Sequence, residues 1–251
     1  MKQIAYVTGA TAGFGEAIAY LLGQNNYDLI LTGRRKEKLK LVADKCRELG
    51  AEVLEQVYDI QNRKDVEKSV NMLATQWQSI DLLVNNAGLA VGLDPFQEAQ
   101  VDDWERMIDT NVKGLLYLSK AIVPLMIANK KGHIINIAST AGSQVYARGN
   151  VYCATKHAVK ALTKAMRIDL LPNKIRVSSV SPGAAETEFS VIRFKGDVDK
   201  AKAAYAGYEP MVAQDIAECV LFVATRPPHV CINDIELTPT AQADSFNWFK
   251  E

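Results

Sequence analysis

Tyr152 and Lys156 form the one Y-x-x-x-K spacing in this chain. Helical residues four apart lie on the same face, so the lysine ammonium would lie beside the tyrosine phenol. A phenol with the ordinary pKa of about 10 is a poor acid–base catalyst at neutral pH, but a neighbouring cation favours the phenolate and lowers that pKa. The pair therefore predicts a proton-transfer site; the alternative is two unrelated residues on a solvated helix.

A glycine-rich turn follows the first strand-like segment and precedes a helix-like segment. Its glycines would let the backbone approach a pyrophosphate, and the free N–H groups at the helix start favour negative charge. The spacing is G-x-x-x-G-x-G instead of the common dinucleotide pattern G-x-G-x-x-G. A glycine turn that binds nothing is the alternative. The candidate cofactor residues here are Gly9, Thr11, Gly13, Phe14 and Gly15.

Arg34 and Arg35 follow the second predicted strand, where enzymes that use NAD place a carboxylate for the ribose hydroxyls. Guanidinium groups offer paired donors to phosphate oxygens, so this position suits the 2′-phosphate of NADP. We therefore expect NADP(H) as the cofactor. The alternative is that both arginines only solvate the start of the next helix.

Short apolar segments alternate with longer amphipathic ones, a pattern typical of helices on both faces of a parallel sheet. We predict one α/β domain over residues 1–251, a doubly wound (Rossmann) parallel sheet of seven strands. Residues 181–210 contain no clear strand, and we expect residues 183–210 to form a substrate loop. The predicted strands are 4–7, 29–32, 52–58, 81–85, 133–138, 175–180 and 232–237, and the main predicted helices are 16–22, 36–49, 63–77, 102–128, 151–170 and 213–225.

Composition argues against several classes of function. The chain has 29 basic and 29 acidic residues, so it has no net charge to attract nucleic acid. No apolar run approaches the roughly 20 residues of a membrane span, and no secretory leader is evident, so we expect a cytoplasmic protein that binds no membrane. The four cysteines form no C-x-x-C pair, so we expect no metal site.

Further motifs, in order along the chain, make it resemble the short-chain dehydrogenase/reductase family over nearly its whole length. Asn85 to Gly88 form a complete N-N-A-G element, and Ala185 replaces the valine of the family's P-G-x-V-x-T segment. Neither that change nor Phe14 in place of isoleucine removes a reactive group. The residues that the resemblance adds to the site are Asp59, Ile60, Asn86, Ala87, Gly88, Asn111, Ser139, Pro182, Gly183 and Thr187.

The resemblance implies reversible alcohol–carbonyl oxidoreduction. Hydride would pass between the nicotinamide and the substrate carbon, while Tyr152 transfers the hydroxyl proton and Ser139 hydrogen-bonds the same oxygen. Lys156 would lower the tyrosine pKa and hold the nicotinamide ribose, and Asn111 would position a water that links Lys156 to solvent. Asp59 and Ile60 would hold the adenine. The family also implies self-association, and we expect a homotetramer.

Segments that include residues 107–111, 139–143, 149–152 and 193–197 give the chain a closer similarity to the NADP-dependent 3-hydroxy acid dehydrogenases, of the serine dehydrogenase and malonic semialdehyde reductase type. That similarity predicts short 3-hydroxy acids, such as serine or 3-hydroxypropionate, as substrates. In the substrate loop, Arg193 could bind a substrate carboxylate through two hydrogen bonds. Arg148 and Lys195 are the other candidates for this role, and the alternative for Arg193 is a solvated loop charge that binds no substrate. Other functions left open are a broad-range carbonyl reductase, a 3-ketoacyl reductase, an epimerase or lyase, and a non-catalytic NADPH-binding regulator.

Overall fold

Seven parallel strands form the central sheet of the computed structural model, which describes residues 2–251. Their order is β3-β2-β1-β4-β5-β6-β9, which confirms the predicted doubly wound sheet. Two further strands, β7 and β8, pair separately with each other. The strands are β1 (Gln3–Thr8), β2 (Tyr27–Gly33), β3 (Val53–Val57), β4 (Ile80–Asn85), β5 (His133–Ile137), β6 (Arg176–Pro182), β7 (Ala185–Glu186), β8 (Met211–Val212) and β9 (Asp234–Leu237).

Helices cover both faces of this sheet. They are α1 (Gly13–Gln24), α2 (Lys36–Glu48), α3 (Arg63–Asn71), α4 (Val101–Ile108), α5 (Leu115–Ala128), α6 (Asn150–Asp169), α7 (Glu188–Arg193), α8 (Val198–Ala203) and α9 (Ala213–Ala224). Alternate residues of β1 show the arrangement: Ala5 and Val7 pack in the apolar core beneath α1, α2 and α9, whereas Ile4 and Tyr6 pack in the core beneath α3 and α5. A strand buried on both faces has no polar alternation, which is why its sequence reads as one apolar run.

The chain reverses its winding direction at β1. From β1 it proceeds outward to β2 and β3, then returns to β4 on the other side of β1 and continues to β5, β6 and β9. The loops that leave β1 and β4 therefore diverge and open a crevice at the carboxyl edge of the sheet. The glycine turn and the N-N-A-G element lie in these two loops.

Two predicted helices are interrupted in the structure. The segment predicted as one helix over residues 63–77 ends at Asn71 and resumes as a 3₁₀ turn, Thr75–Trp77, because the chain turns to bury Leu73 and Trp77 in the core. The helix predicted over residues 102–128 contains a π-helical turn at Asp109–Gly114. Helical periodicity does not distinguish such local changes of winding, since both segments keep their apolar side facing the sheet.

The prediction of residues 181–210 as a loop without strands was incomplete. β6 continues to Pro182, and the short strand β7 and the helices α7 and α8 follow. Each of these helices has six residues, and each begins at a side-chain cap: the Thr187 hydroxyl accepts a hydrogen bond from the Phe189 amide, and Asp197 accepts one from the Lys200 amide. Elements this short carry too little periodicity to be recognised in a sequence.

The helical stretch Val101–Ala128 is long and apolar enough to cross a membrane by length and composition alone. Our statement that no segment approaches a span was therefore wrong on these criteria. The stretch packs as a core helix along one side, where Leu118, Ile122 and Met126 are fully buried against the sheet. An amphipathic core helix and a membrane helix share this composition, so burial is what separates them.

Candidate active site

The glycine turn and the N-N-A-G element form one surface at the carboxyl ends of β1 and β4. The Thr8 hydroxyl accepts hydrogen bonds from the Asn86 and Ala87 amides, at 2.9 and 2.8 Å, and the Asn86 side chain donates to the Thr8 carbonyl at 2.8 Å. Gly9 has a φ of +65°, and a Cβ there would lie 3.0 Å from the Ala87 Cα. Glycine is required at this position by both the conformation and the close approach.

A cleft of about 600 Å³ runs from this surface to the substrate loop. It brings together nearly all residues that the sequence predicted for cofactor and substrate, including Arg34, Asp59, Ser139, Tyr152 and Arg193. Two predicted residues do not line it. Gly15 lies beneath the turn, where a Cβ would collide with the Gly9 carbonyl oxygen, and Asn111 lies behind the cleft wall.

Tyr152 and Lys156 lie in the first turns of α6 and face the cleft, as their spacing predicts. Lys156 donates from Nζ to the Ile137 carbonyl at 2.8 Å, at the end of β5. Its Nζ lies 5.9 Å from the centroid of the Tyr152 ring. Both residues are buried, with exposed fractions of 9% for Tyr152 and 6% for Lys156. The ammonium is thus held by the sheet edge, and no acid among residues 2–251 pairs with it.

Burial controls the protonation of this pair. Desolvation raises the pKa of Tyr152, with the Ser139 hydroxyl and the Arg193 guanidinium acting in the opposite direction. Desolvation also lowers the pKa of Lys156 from 10.5 to about 8. For the chain by itself, the cost of removing the phenolate from water outweighs the groups that lower this pKa. The expectation that Lys156 lowers the tyrosine pKa stays a prediction. Tyr152 is a protonated phenol here, the form that donates a proton to a carbonyl.

Ser139 and Asn111 reach the site in different ways. Ser139 follows β5 and lines the cleft, with its hydroxyl donating to the Pro182 carbonyl at 3.3 Å. Asn111 lies in the π-helical turn, and its amide is bonded to both backbone groups of Leu89 and to Thr155. Its carboxamide oxygen and Lys156 Nζ flank Gly88, where a Cβ would lie 3.3 and 3.6 Å from them. The Asn111 side chain therefore holds the wall between α6 and the N-N-A-G element.

Arg193, at the end of α7, reaches the cleft beside the catalytic pair. It donates to the Tyr146 hydroxyl at 2.6 Å, and its guanidinium carbon lies 5.5 Å from the centroid of the Tyr152 ring. Its Nε atom is buried and has no hydrogen-bond partner among the residues that the structure describes. The alternatives lie elsewhere: Lys195 pairs with Asp103 at 2.7 Å, and Arg148 lines a separate small depression.

Three neighbours of this site had no signal in the sequence. Tyr146 and Phe189 pack beside Tyr152, and the ring centroids of Phe189 and Tyr152 are 5.7 Å apart. Lys38 lies near Arg35 at the other end of the cleft, where both cations pair with Glu188. None of them belongs to a repeated spacing or motif. Their roles depend on where the loops before α6 and around α7 fold, which only the structure shows.

Arg34 and Arg35 line the cleft, and both have carboxylate neighbours. Arg34 pairs with Asp59 at 3.2 Å, and Arg35 pairs with Glu188 at 2.7 Å. Arg35 also donates to the Thr11 hydroxyl through Nε and one terminal nitrogen, at 3.2 and 2.9 Å. The two cations therefore lie beside the glycine turn, at the end of the cleft opposite the catalytic pair.

The chain's own residues fit a phosphorylated dinucleotide. The glycine surface excludes side chains where a pyrophosphate would lie, and the cations at one end suit a phosphate. Lys156 at the other end offers a donor to a ribose, and Thr187, beside the turn, offers one to a carboxamide. Thr187 packs against the turn, since a Cβ on Gly13 would lie 3.3 Å from the Thr187 Cβ.

Comparison with known proteins agrees with this geometry. Residues 3–196 match the family model for short chain dehydrogenases. This chain belongs to the short-chain dehydrogenase family. It is 49% identical over 242 residues to an NADP-dependent 3-hydroxy acid dehydrogenase of Salmonella typhi, covering 96% of each chain. The closed form of a serine dehydrogenase complexed with NADP⁺ superposes with a TM-score of 0.93 at 45% identity, covering 99% of this chain and 100% of that one.

A third relative broadens the chemistry within this family. The chain is 40% identical over 244 residues to sulfoacetaldehyde reductase 2 of Chromohalobacter salexigens, covering 97% of this chain and 96% of that one. This short-chain dehydrogenase is accordingly an NADP(H)-dependent oxidoreductase that acts on hydroxyl groups. NADP(H) supplies or accepts the hydride, and the protein supplies binding and proton transfer.

We expect the rate of carbonyl reduction to fall as the pH rises through about 8. Below that pH Lys156 is a cation in the free protein, and above it burial has removed its proton. Tyr152, whose pKa is raised, stays protonated over this range. The measurement is kcat/KM for NADPH between pH 6 and 10, because this ratio reports ionisation of the free enzyme. A profile that stays level to pH 10 would contradict the assignment.

Proposed function

We propose that this short-chain dehydrogenase interconverts short 3-hydroxy acids, serine and 3-hydroxypropionate among them, with their carbonyl counterparts. The observation that carries the proposal is the Arg193 guanidinium beside Tyr152, whose buried Nε has no hydrogen-bond partner in the described part of the chain. A buried donor without an acceptor is costly, so a ligand that supplies one gains that energy on binding. The relatives named for 3-hydroxy acids and serine support the same class.

A carboxylate suits Arg193 for geometric reasons. A planar guanidinium can bind one through two parallel hydrogen bonds, which sets the orientation of the acid as well as its position. A small substrate has few other atoms with which to bind, so this contact would do much to hold its hydroxyl carbon near the nicotinamide. Arg193 also donates a hydrogen bond to the Tyr146 hydroxyl, which limits the directions in which the guanidinium can move.

The proton chemistry follows from the protonation of the pair. In reduction, Tyr152 gives its hydroxyl proton to the substrate oxygen while Ser139 donates a hydrogen bond to the same atom. Lys156 then stabilises the phenolate that remains and holds the ribose of the cofactor. Asn111 acts on this step only through other residues, because its side chain holds Leu89 and Thr155 in place.

Another anionic substrate class is favoured by one comparison. The relative named sulfoacetaldehyde reductase 2 indicates that this framework can serve a small sulfonate, an anion that Arg193 could equally bind. A broad-range carbonyl reductase or a 3-ketoacyl reductase would not depend on Arg193 in this way. A non-catalytic regulator would not need the Ser139, Tyr152 and Lys156 set.

Replacing Arg193 by alanine should lower kcat/KM for serine and 3-hydroxypropionate by roughly 10- to 100-fold, the effect of one lost charge-assisted contact. A neutral alcohol of similar size should lose much less, because it does not use the contact. The measurement is kcat/KM with NADP⁺ for both acids and the neutral alcohol. Lys195→Ala is the matched control, since Lys195 pairs with Asp103 outside the cleft.

The role of Arg193 is decided by comparing the loss of kcat/KM for the acids with the loss for the neutral alcohol. An equal loss for acids and neutral alcohol would mean that Arg193 only supports Tyr152 and α7. An enzyme that oxidises neutral secondary alcohols but no 3-hydroxy acid would belong to the broad-range class. Activity on sulfoacetaldehyde that also depends on Arg193 would place the sulfonate in the same substrate class.

A further inference from the structure

Glu188, the first residue of α7, joins the cofactor end of the cleft to the substrate loop. Its two carboxylate oxygens accept from two different cations: Arg35 at 2.7 Å and Lys38 at 2.6 Å. These contacts hold the pKa of the Glu188 carboxyl below its ordinary value, with the hydrogen bond from Lys38 as the largest cause and that from Arg35 next. The carboxylate therefore stays charged at neutral pH and holds both cations.

Arg35 does not need Glu188 to keep its position. Its Nε and one terminal nitrogen already donate to the Thr11 side chain, and that same nitrogen also donates to the Thr11 carbonyl at 3.3 Å. The other terminal nitrogen donates to Glu188, its one acceptor within residues 2–251. Lys38 Nζ likewise has Glu188 as its one acceptor among the contacts of the described residues. Glu188 thus occupies the donors of this pair that point away from the glycine turn.

Those donors have the chemistry that recognises a phosphate monoester: a guanidinium N–H and an ammonium that converge on one anionic group. We propose that Glu188 is a specificity-determining residue whose carboxylate competes with the 2′-phosphate of NADP for Arg35 and Lys38. The phosphate displaces the carboxylate, because two anions held against the same pair of cations repel each other and the phosphate carries the larger charge. NAD, which has a hydroxyl at that position, leaves Glu188 in place.

The position of Glu188 gives this competition a consequence in the substrate loop. Glu188 begins α7 and Arg193 ends it, so one short helix has its first side chain among the phosphate-binding cations and its last beside Tyr152. Exchange of the carboxylate for phosphate releases the first turn of α7 from α2. The cofactor's 2′-phosphate thereby changes the constraint on the helix that carries Arg193.

A direct test measures binding of two nucleotides that contain no nicotinamide. Adenosine 2′,5′-bisphosphate carries the 2′-phosphate and 5′-AMP does not. Glu188→Gln should tighten the bisphosphate by about three- to tenfold at 0.15 M salt, a modest effect because the side chains involved are close to half exposed. It should leave 5′-AMP within about twofold, and calorimetry gives both dissociation constants.

Glu186→Gln is the matched control, because Glu186 is an exposed carboxylate two residues away that forms no ion pair with the described residues. It should leave both nucleotides unchanged. Weaker bisphosphate binding in Glu188→Gln would show that Glu188 orients Arg35, and an equal gain for both nucleotides would show only a general change of charge. No change at all would show that the carboxylate and the phosphate do not compete; each of these results overturns the proposal.

Two further measurements separate this proposal from the assignments on which it rests. Arg35→Met should weaken the bisphosphate at least tenfold; if it does not, the phosphate site itself is misassigned, whatever Glu188 does. Amide hydrogen exchange of residues 188–193 reports the release of α7. The bisphosphate should speed this exchange relative to 5′-AMP in the wild type and not in Glu188→Gln, and identical exchange with both nucleotides in the wild type would contradict the release.

Discussion

Replacing Tyr152 by phenylalanine should lower kcat for NADPH-dependent carbonyl reduction by at least about 100-fold, the usual effect of removing a general acid. The substitution removes one hydroxyl from a buried ring and leaves its packing against Phe189 in place. Binding of NADPH should therefore stay within about twofold of wild type. Steady-state rates and fluorescence titration of NADPH measure the two effects separately.

The control for this prediction is Tyr20→Phe. The Tyr20 hydroxyl donates to Glu16 on α1, outside the cleft, so its loss should leave the rate near that of the wild type. A Tyr152→Phe protein that turned over at the wild-type rate would mean that another group supplies the proton. A protein that also failed to bind NADPH would point to a structural role for the phenol.

Replacing Lys156 by methionine should raise stability while it abolishes most activity. Burial costs the ammonium its hydration, which is why the pKa falls from 10.5 to about 8. At 1.36 kcal/mol per pKa unit, this corresponds to about 3 kcal/mol against the folded state below pH 8. Methionine has a similar length and no charge, so we expect the free energy of unfolding at pH 7 to rise by about 1–3 kcal/mol.

The pH dependence of that gain has a defined sign. Below pH 8 Lys156 is protonated in both the folded and the unfolded chain, and the full penalty is present. Between about 8 and 10.5 the folded chain has lost the proton that the unfolded chain retains, so wild-type stability gains relative to the variant as the pH rises. The advantage of Lys156→Met should therefore shrink toward pH 10, which denaturant unfolding at several pH values measures.

Lys156→Met should lower activity although it raises stability. Loss of a cation placed beside the reacting phenol should lower kcat/KM by about 100-fold or more. Lys160→Met is the comparison for stability, since Lys160 lies one turn later on α6 but pairs with Asp234 at 2.8 Å. That variant should gain no stability. If Lys156→Met were no more stable than wild type at pH 7, the buried ammonium, with its hydrogen bond to the Ile137 carbonyl, would carry no net cost in the folded chain.

Much of the site could be predicted because its motifs follow strands. Gly9, Asn86, Ser139 and Pro182 each come at or just after the carboxyl end of a parallel strand, so a correct prediction of the sheet places them at one edge. The Tyr152 and Lys156 pair depends only on helical spacing. These rules depend only on neighbouring residues and not on contacts with distant segments. The structure brings these residues together in one cleft.

Other features depend on contacts between distant segments. Arg35 and Glu188 are 153 residues apart, and Tyr146 meets Arg193 across 47 residues. No periodicity or spacing connects such pairs, because their meeting depends on how residues 183–210 fold back over the cleft. The short helices α7 and α8 were missed for the same reason, since their caps are local but their positions are set by packing.

The sequence by itself determined the alternation of strands and helices, the glycine turn, the cofactor class and the order of the reacting residues, because each follows from side-chain type and local spacing. Only the tertiary structure decided the ionisation of the reacting pair. The pKa values of Tyr152 and Lys156 follow from burial, which moves them in directions that a simple cation–phenol pair does not predict. Burial is a property of the whole packed chain, and no spacing of residues encodes it.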